Sequence, residues 1–387
     1  MYKIKTFNNI SDKGLSRLPA SDYDVSPDHE TPDAIILRSY KLHDYPVPDS
    51  LLAVGRAGAG TNNVPVLKMS EKGIPVFNAP GANANAVKEL VIAGMLLACR
   101  NICQGWDYAR NVEGTPEQQN KAVEDGKKKY VGYELPGRTL GVVGLGAIGV
   151  HVANAAVALG MRVVGFDPTI TVKSAWKMSS EVVEMPSIDE LVKQSDFVTF
   201  HVPLLDSTRN LLNSKRIASM KEGAVVLNFA RDGIVDDEAV LKALDSGRLH
   251  AYVSDFPAPN LKDNDRVITL PHLGASTIEA EENCAIMVAD QIKDFLENGN
   301  IHNSVNFPGI RLARIGDMRL AIANENRPDM VGQISHVLGQ AGVNIHHMSN
   351  ESRSNLAYTL MDLDKAIDDS TLSQITAIDG VLSARRI

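Results

Sequence analysis

The chain has 387 residues, 44% of them hydrophobic, and a formal net charge of −8 at pH 7. This length exceeds what one compact core normally holds and predicts two or three domains. The acidic balance argues against a nucleic-acid-binding surface and favours a small-molecule ligand. The 3 cysteines form no CxxC pair and no cluster with histidine, so we expect neither a disulfide framework nor a metal site.

The N-terminal residues contain no apolar signal core. The longest uncharged apolar stretch, Leu90–Cys99, is too short to cross a bilayer. We therefore expect a cytoplasmic protein without a membrane partner.

The first hundred residues alternate short strand-like runs with helical patterns, as is typical of a small α/β domain. The strand-like runs are Ala34–Leu37, Leu51–Val54 and Val76–Phe77. Two turn-rich breaks, Gly58–Val64 and Asn78–Asn83, can turn backbone amides toward a ligand. A helical run from Ala86 to about Gly105 leads into a polar stretch over 111–130, in which we interpret Lys127–Lys129 as a solvated face.

A glycine-rich turn then follows an apolar strand, in the pattern Gly144-x-Gly146-x-x-Gly149. An apolar helix and a second strand come next, and Asp167 ends that strand roughly 20 residues after the glycines. In such a unit the glycines allow a tight turn, close approach of a pyrophosphate and close packing of helix on strand. The alternative is a glycine-rich turn without a ligand. The complete strand, helix, strand and acid favour dinucleotide binding.

Asp167 predicts which dinucleotide binds. Its carboxylate can hold the adenosine ribose and would repel a 2′-phosphate. The following stretch, Pro168–Val172, offers no cation for such a phosphate. The sequence therefore favours NAD over NADP.

Further α/β alternation follows, with buried strands predicted at 196–200, 224–228, 251–254 and 267–270. Polar residues stand directly after three of these strands, in Asn228–Gly233, Ser254–Asp255 and Pro271–Thr277. A doubly wound sheet binds ligands at such strand ends. A helix predicted from Thr277 to Glu297 can return to the first domain and make that domain discontinuous.

Two residues at these strand ends suit hydride transfer from a 2-hydroxy acid, which requires a base for the hydroxyl proton and a cation for the carboxylate. His272 can serve as the base, and the Arg231 guanidinium can bind a carboxylate bidentately. The residue types alone leave open that either side chain is structural or simply on the surface.

These motifs together resemble the D-2-hydroxyacid dehydrogenase family, most closely its members that act on 3-phospho-D-glycerate and carry a C-terminal ACT domain. The resemblance implies an α/β protein with two doubly wound Rossmann-like lobes and a βαββαβ ACT domain. The implied domains are a substrate-binding domain (1–95 and 278–305), an NAD-binding domain (96–277), a linker (306–316) and the ACT domain (317–387). The matching segments are Gly58–Val64, Gly73–Pro80, Glu89–Ile92, the glycine turn, His201–Pro203, Asn228–Gly233 and Pro271–Thr277.

The resemblance also implies roles for individual residues. Arg231 would bind the substrate carboxylate and carbonyl, and His272 would be the acid/base. The implied cofactor-binding residues are Gly144, Gly146, Ala147, Ile148, Gly149, Asp167, His201, Pro203, Ala230, Asp255 and Gly274. The implied substrate-binding residues are Arg38, Ser39, Ala59, Gly60 and Asn83.

Two departures from the family pattern bear on the chemistry. The family places a Glu between the Asp and the His, where it orients the imidazole, but Asp255 is followed here by Phe-Pro-Ala-Pro-Asn. Either Asp263, Asp265 or another acid substitutes, or His272 works unassisted, which is our hypothesis. The second departure is Glu281, where many relatives have Gln near the substrate phosphate. This carboxylate should point away from the phosphate or pair with a cation.

The last seventy residues follow the ACT order, and Asn324, Asn326 and Asn344 match positions with which the resembling enzymes bind L-serine across paired ACT domains. The match is partial, because relatives commonly have His at Asn324 and Gly at Asp329. The alternative is an ACT domain used only for assembly. The resemblance suggests a homodimer or a homotetramer.

The expected activity is NAD-dependent oxidation of 3-phospho-D-glycerate at the start of serine synthesis. The first alternative is a reductase for hydroxypyruvate, glyoxylate or another 2-oxo acid. The second alternative is an NAD-sensing regulator without turnover, which is consistent with the absence of the family Glu.

Overall fold

A computed structural model describes residues 1–316 and 318–387. Contacts divide the chain into two units, Met1–Asn83 with Ile278–Ile387, and Ala84–Thr277. The sequence-based limit between residues 95 and 96 lies inside a helix, Ala84–Cys99, and residue 317, where the expected ACT domain begins, lies outside the described residues. The domain limits remain a proposal.

The first sheet has five parallel strands in the order β2-β1-β3-β4-β5. Its buried strands are almost entirely apolar, as parallel strands covered on both faces require. The order reverses beside β1, which is a doubly wound arrangement. Its elements are β1 (Tyr2–Phe7), α1 (Asp12–Leu15), β2 (Tyr23–Ser26), β3 (Ala34–Leu37), β4 (Ala53–Arg56), α2 (Val66–Glu71) and β5 (Val76–Phe77).

Between β5 and the second sheet the chain forms the α-helices α3 (Ala84–Cys99), α4 (Ile102–Arg110) and α5 (Pro116–Gly126). The single helix predicted over 86–105 is wrong, because Asn101 adopts a left-handed backbone with φ of 49° and separates α3 from α4. The polar stretch over 111–130 contains α5. Thr115 and Gln118 cap that helix reciprocally, and Pro116 occupies its first turn.

The second sheet has seven parallel strands in the order β12-β11-β10-β9-β6-β7-β8, which reverses between β6 and β9. This is the Rossmann arrangement, and ligands bind at such a reversal. The elements are β6 (Thr139–Val143), α6 (Ala147–Ala158), β7 (Arg162–Phe166), α7 (Val172–Ala175), β8 (Val183–Glu184), α8 (Ile188–Gln194), β9 (Phe197–Phe200), α9 (Ser214–Ser219), β10 (Ala224–Asn228), α10 (Asp237–Asp245), β11 (Leu249–Ser254) and β12 (Val267–Thr269).

The long helix α11 (Ile278–Asn298) packs on α1 and on β3, β4 and β5 of the first sheet. Glycine makes this packing close, because a Cβ at Gly55 would lie 2.4 Å from Val288 Cγ1 and one at Gly14 would lie 2.5 Å from Ala285 Cβ. The helix thus completes the first sheet's second layer with residues from late in the chain.

The C-terminal residues form a separate antiparallel sheet in the order β14-β15-β13-β16. Its elements are β13 (Met318–Glu325), α12 (Met330–Gln340), β14 (Ile345–Arg353), β15 (Leu356–Leu363), α13 (Asp369–Thr376) and β16 (Val381–Arg386). The predicted fold class is confirmed, with two parallel Rossmann-like sheets and a βαββαβ unit.

Arginines of this C-terminal segment cap the end of α11. Arg385 donates to the carbonyls of Phe295 and Leu296, Arg314 donates to Glu297 O at 3.0 Å, and Arg319 donates to Asn298 O at 3.0 Å. Phe295 O also accepts from Gly299 N, and Leu296 O from the Tyr2 hydroxyl, so the guanidinium groups add to these bonds and complement the negative end of the helix dipole.

Among residues 1–316 and 318–387, no helix combines the length and apolar character needed to cross a bilayer.

Candidate active site

The glycine turn at the end of β6 shows a different constraint at each glycine. Gly144 has φ of 92°, and a Cβ there would lie 2.6 Å from His201 O. A Cβ at Gly149 would lie 1.9 Å from Gly144 O, so the start of α6 packs directly on the turn. At Gly146, the N-cap of α6, a Cβ would meet no protein atom within 4 Å. The first and third glycines are thus required by the protein itself, whereas the second leaves space in front of a helix N-terminus, as a pyrophosphate needs.

Asp167 lies at the end of β7 and is held against this turn. Its Oδ2 accepts a hydrogen bond from Leu145 N at 2.8 Å, and its Oδ1 accepts one from Thr169 N at 2.9 Å. A cavity of about 580 Å³ opens beside it, lined by Gly144, Asp167, His201, Pro203 and their neighbours. The structure therefore places Gly144, Asp167, His201 and Pro203, all expected to bind NAD, around one cavity.

His201 follows β9 and borders the same cavity. Its Nε2 lies 3.1 Å from Thr199 Oγ1, while its Nδ1 is enclosed without a hydrogen-bond partner among the described residues. Burial lowers the pKa of His201 to about 3. The ring is therefore neutral near pH 7 and adds no positive charge to the cavity.

Arg231 lies in the turn after β10, and Asn228 shapes that turn. Asn228 is buried, accepts from Ala230 N at 3.2 Å and donates through Nδ2 to Arg231 O at 3.0 Å. The exposed Arg231 side chain donates through Nη1 to Ala230 O at 2.7 Å. The sequence analysis assigned no role to Asn228. Its position at the end of a predicted strand, three residues before Arg231, could have indicated such a role.

Asp255 follows β11 and is only 1% exposed. Burial raises the pKa of Asp255, although the nearby His272 and Arg231 and a hydrogen bond from the Gly274 backbone act in the opposite direction. Its Oδ1 has no hydrogen-bond partner among the described residues. An enclosed carboxylate oxygen without a donor is a suitable acceptor for the carboxamide N–H of a nicotinamide, so the residues present fit NAD.

His272 follows β12 with φ of 52°, and its N–H donates to Asp255 O at 3.0 Å. Its exposed ring meets Phe256 edge-on, with centroids 5.0 Å apart. The histidines of the described residues that pair with acids are His29 and His302, so His272 has no such partner there. The candidate substitutes Asp263 and Asp265 are both exposed.

In the other unit, Arg38 follows β3, and its Nη2 lies 2.5 Å from Glu281 Oε1. The expectation that Glu281 pairs with a cation is therefore met, by the arginine expected to bind phosphate. Asn8 Oδ1 accepts from the N–H of the exposed Ser39 at 3.0 Å. Arg38 O accepts from Arg56 Nε at 3.0 Å and from Asn63 Nδ2 at 3.1 Å.

Arg56 is a cation that the sequence analysis missed. It ends β4 directly before the glycine-rich loop, and a Cβ at Gly58 would lie 1.7 Å from Arg56 Nη1. Within that loop Ala59 and Gly60 are partly exposed, and Asn78 Nδ2 donates to Ala59 O at 2.5 Å. Asn83 Oδ1 is enclosed without a hydrogen-bond partner among the described residues. The signal for Arg56 was its position at a strand end beside the predicted loop.

The three asparagines expected to bind an effector do not meet within one chain. Asn324 pairs with Ala357 at one end of β15, and Asn326 N donates to Asn355 O beside that end. Asn344 lies at the other end, where its N–H donates to Asp364 Oδ1 at 2.9 Å. A site that uses all three residues requires two copies of the chain.

Residues 92–274 match the model of the D-isomer specific 2-hydroxyacid dehydrogenase NAD-binding domain. Two curated relatives match the chain at 40% identity over 277 residues and at 34% identity over 347 residues. The chain therefore belongs to the D-isomer specific 2-hydroxyacid dehydrogenase family.

Both relatives are D-3-phosphoglycerate dehydrogenases. The first, from Methanocaldococcus jannaschii, aligns with 70% of this chain, which spans about half (50%) of that relative's length. The second, from Haemophilus influenzae, aligns over 87% of this chain and 81% of its own length. The structure of NAD⁺-bound 3-phosphoglycerate dehydrogenase from Entamoeba histolytica shares the fold, with a TM-score of 0.60 at 24% identity, covering 79% of this chain and 98% of that chain.

Proposed function

We propose that the chain is an NAD-dependent dehydrogenase that oxidises 3-phospho-D-glycerate to 3-phosphooxypyruvate, the first step of L-serine biosynthesis. The observation that carries the proposal is the grouping of Arg231, Asp255 and His272 at the ends of β10, β11 and β12, on the same sheet as the glycine turn. The two phosphoglycerate dehydrogenase relatives support the choice of substrate.

In the proposed reaction Arg231 binds the substrate carboxylate and polarises the forming carbonyl. His272 accepts the proton of the C2 hydroxyl while the C2–H bond breaks and the C=O double bond forms. NAD, when bound, accepts the hydride that leaves C2. Asp255 orients the nicotinamide end through its enclosed Oδ1, and Asp167 holds the adenosine ribose.

The substrate's phosphate group is assigned to Arg38, with Ser39 and Asn83 beside it, and its carboxylate also meets the backbone at Ala59 and Gly60. Arg56 adds a second cation next to Arg38. We further propose that His272 works without the acid that the family normally supplies, since Asp263 and Asp265 are exposed and Phe256 packs against its ring.

The test is NADH production at mildly alkaline pH from 3-phosphoglycerate and, in parallel, from unphosphorylated D-glycerate. We expect turnover that depends on the phosphate and falls by about three orders of magnitude in His272→Ala, because the proton then has no acceptor. His272→Ala should bind NADH as tightly as the parent protein, which shows that the variant is folded. Equal turnover by parent and variant would exclude His272 as the base.

A second candidate is a reductase for an unphosphorylated 2-oxo acid such as hydroxypyruvate or glyoxylate. The observation that favours it is the ion pair of Arg38 with Glu281, because this pair occupies the cation assigned to phosphate. Faster reduction of these acids with NADH than of 3-phosphooxypyruvate would support this candidate.

We also propose that the C-terminal βαββαβ unit is an ACT domain. The protein would be a cytoplasmic homodimer or homotetramer, and L-serine would bind across two copies of the chain. Asn324 and Asn326 of one copy and Asn344 of another would form each site. Asn344→Ala should abolish inhibition by millimolar L-serine without changing uninhibited turnover. An unchanged rate and melting temperature of the parent protein in millimolar L-serine would exclude this regulation and leave assembly as the role of the domain.

A further inference from the structure

An ion pair occupies the cation to which the proposed function assigns the substrate phosphate. Arg38 Nη2 lies 2.5 Å from Glu281 Oε1, and the two side chains are 36% and 40% exposed. Both groups are therefore accessible to a dissolved anion. Ion pairs exposed to this degree contribute little free energy, so an anionic ligand can displace one member at small cost.

The surroundings add a second cation, Arg56, to this group. Arg56 donates to Arg38 O at 3.0 Å, and the charges of Arg56, Arg38 and Glu281 all act on the buried thiol of Cys284. Two guanidinium groups and one carboxylate thus lie together near Cys284. The Glu281 carboxylate thus reduces the positive charge that Arg38 would otherwise offer to a phosphate.

The backbone of Arg38 is held by hydrogen bonds, while its side chain pairs with Glu281. Arg56 Nε and Asn63 Nδ2 both donate to Arg38 O, which fixes the start of the side chain. Glu281 lies in the first turn of α11, where the helix dipole favours an ionised carboxylate. The next residue, Glu282, pairs instead with Lys13 Nζ at 2.7 Å.

We propose that the Glu281 carboxylate is an internal competitor for the phosphate of the substrate at Arg38, and so sets how strongly this protein prefers phosphorylated over unphosphorylated 2-hydroxy acids. This inference rests on the proposed function for the assignment of Arg38. A phosphate dianion must displace the carboxylate and then meet its repulsion, whereas a substrate without phosphate leaves the pair intact.

Glu281→Gln removes the competing charge with little change of shape, and Glu282→Gln is the matched control one residue along the same helix. We expect inorganic phosphate to bind Glu281→Gln about three- to tenfold more tightly than the parent, measured by calorimetry on the NADH-bound protein. The preference in kcat/KM for 3-phosphoglycerate over D-glycerate should rise by the same factor. Glu282→Gln should match the parent in both.

Equal or weaker phosphate binding by Glu281→Gln would overturn the inference, because Glu281 would then position Arg38 and not compete for it. Absence of phosphate binding in both proteins would also overturn it. The calorimetric measurement requires no turnover, so tighter phosphate binding in a protein that oxidises neither substrate would support the pair's role while refuting the proposed activity. Normal turnover with unchanged phosphate binding would refute the inference alone.

Discussion

Asp167 Oδ2 accepts a hydrogen bond from the backbone N–H of Leu145 at 2.8 Å, so the acid after β7 is fixed to the turn after β6. If Asp167 holds the adenosine ribose, as we propose, its carboxylate is oriented before the nucleotide binds. We therefore expect affinity for NAD and rejection of NADP to depend on the same side chain.

We predict that Asp167→Ala weakens NADH binding at least tenfold and reduces the preference for NADH over NADPH. Both effects follow from loss of an acceptor for the ribose hydroxyls and of the charge that opposes the additional phosphate. The measurement is a titration of each nucleotide by fluorescence. Thr169→Val is the control, because it removes the long hydrogen bond of 3.3 Å that the Thr169 hydroxyl donates to Asp167 Oδ1 and leaves the carboxylate in place. An unchanged preference in Asp167→Ala would contradict the prediction.

Gly146 and Gly149 should respond differently to the same added methyl group. Gly146→Ala adds a Cβ that meets no protein atom within 4 Å, so the thermal midpoint should remain near that of the parent while NADH binding falls at least tenfold. Gly149→Ala forces a Cβ to 1.9 Å from Gly144 O, so both the midpoint and NADH binding should fall. Calorimetry and NADH titration on both variants check this, and equal stability losses would argue against it.

The sequence predicts the fold of this protein more fully than it predicts the contacts of the candidate site. Apolar runs and the spacing of Gly144, Gly146 and Gly149 are local signals, so they predict strands and a turn directly. The left-handed Asn101 is a single-residue departure that periodicity does not encode. The pair of Arg38 and Glu281 joins residues that are far apart in the sequence, and the packing of α11 on β3 brings them together.

His201 should remain neutral well below the pH at which exposed histidines titrate. Burial lowers its pKa to about 3, whereas an unfolded chain has a histidine pKa of about 6.5. Between these values the unfolded state binds a proton that the folded ring does not, so this residue makes the protein less stable as the pH falls. Nitrogen-15 NMR of labelled histidines should show His201 unprotonated at pH 5. Titration of His201 near pH 6.5 would contradict the lowered pKa.

Arg319 and Asp362 form an ion pair whose side chains are both 0% exposed, with contacts of 2.6 and 2.9 Å between guanidinium and carboxylate. Arg319→Met should lower the free energy of unfolding of the unit by about 3–5 kcal/mol, because it leaves Asp362 buried without its counterion. Replacing both residues by leucine should cost less. Urea unfolding followed by circular dichroism tests this.

The control for this prediction is Arg17→Gln, which breaks the exposed pair with Asp290. Its urea midpoint should equal that of the parent protein. A similar loss in Arg17→Gln and Arg319→Met would mean that burial does not determine the cost of breaking a pair in this protein.

The C-terminal sheet, whose arginines cap α11, also contributes to the core of the first sheet, and this affects folding during synthesis. Phe77 and Phe295 share one core with Ala321, Ala323 and Tyr358 of the C-terminal sheet. The first sheet leaves the ribosome early, yet part of its core is covered by residues of β13 and β15, which are translated much later. Nascent chains must therefore carry exposed apolar surface on this unit until β13 and β15 have been synthesised, and a protein truncated before β13 would keep that surface and tend to aggregate.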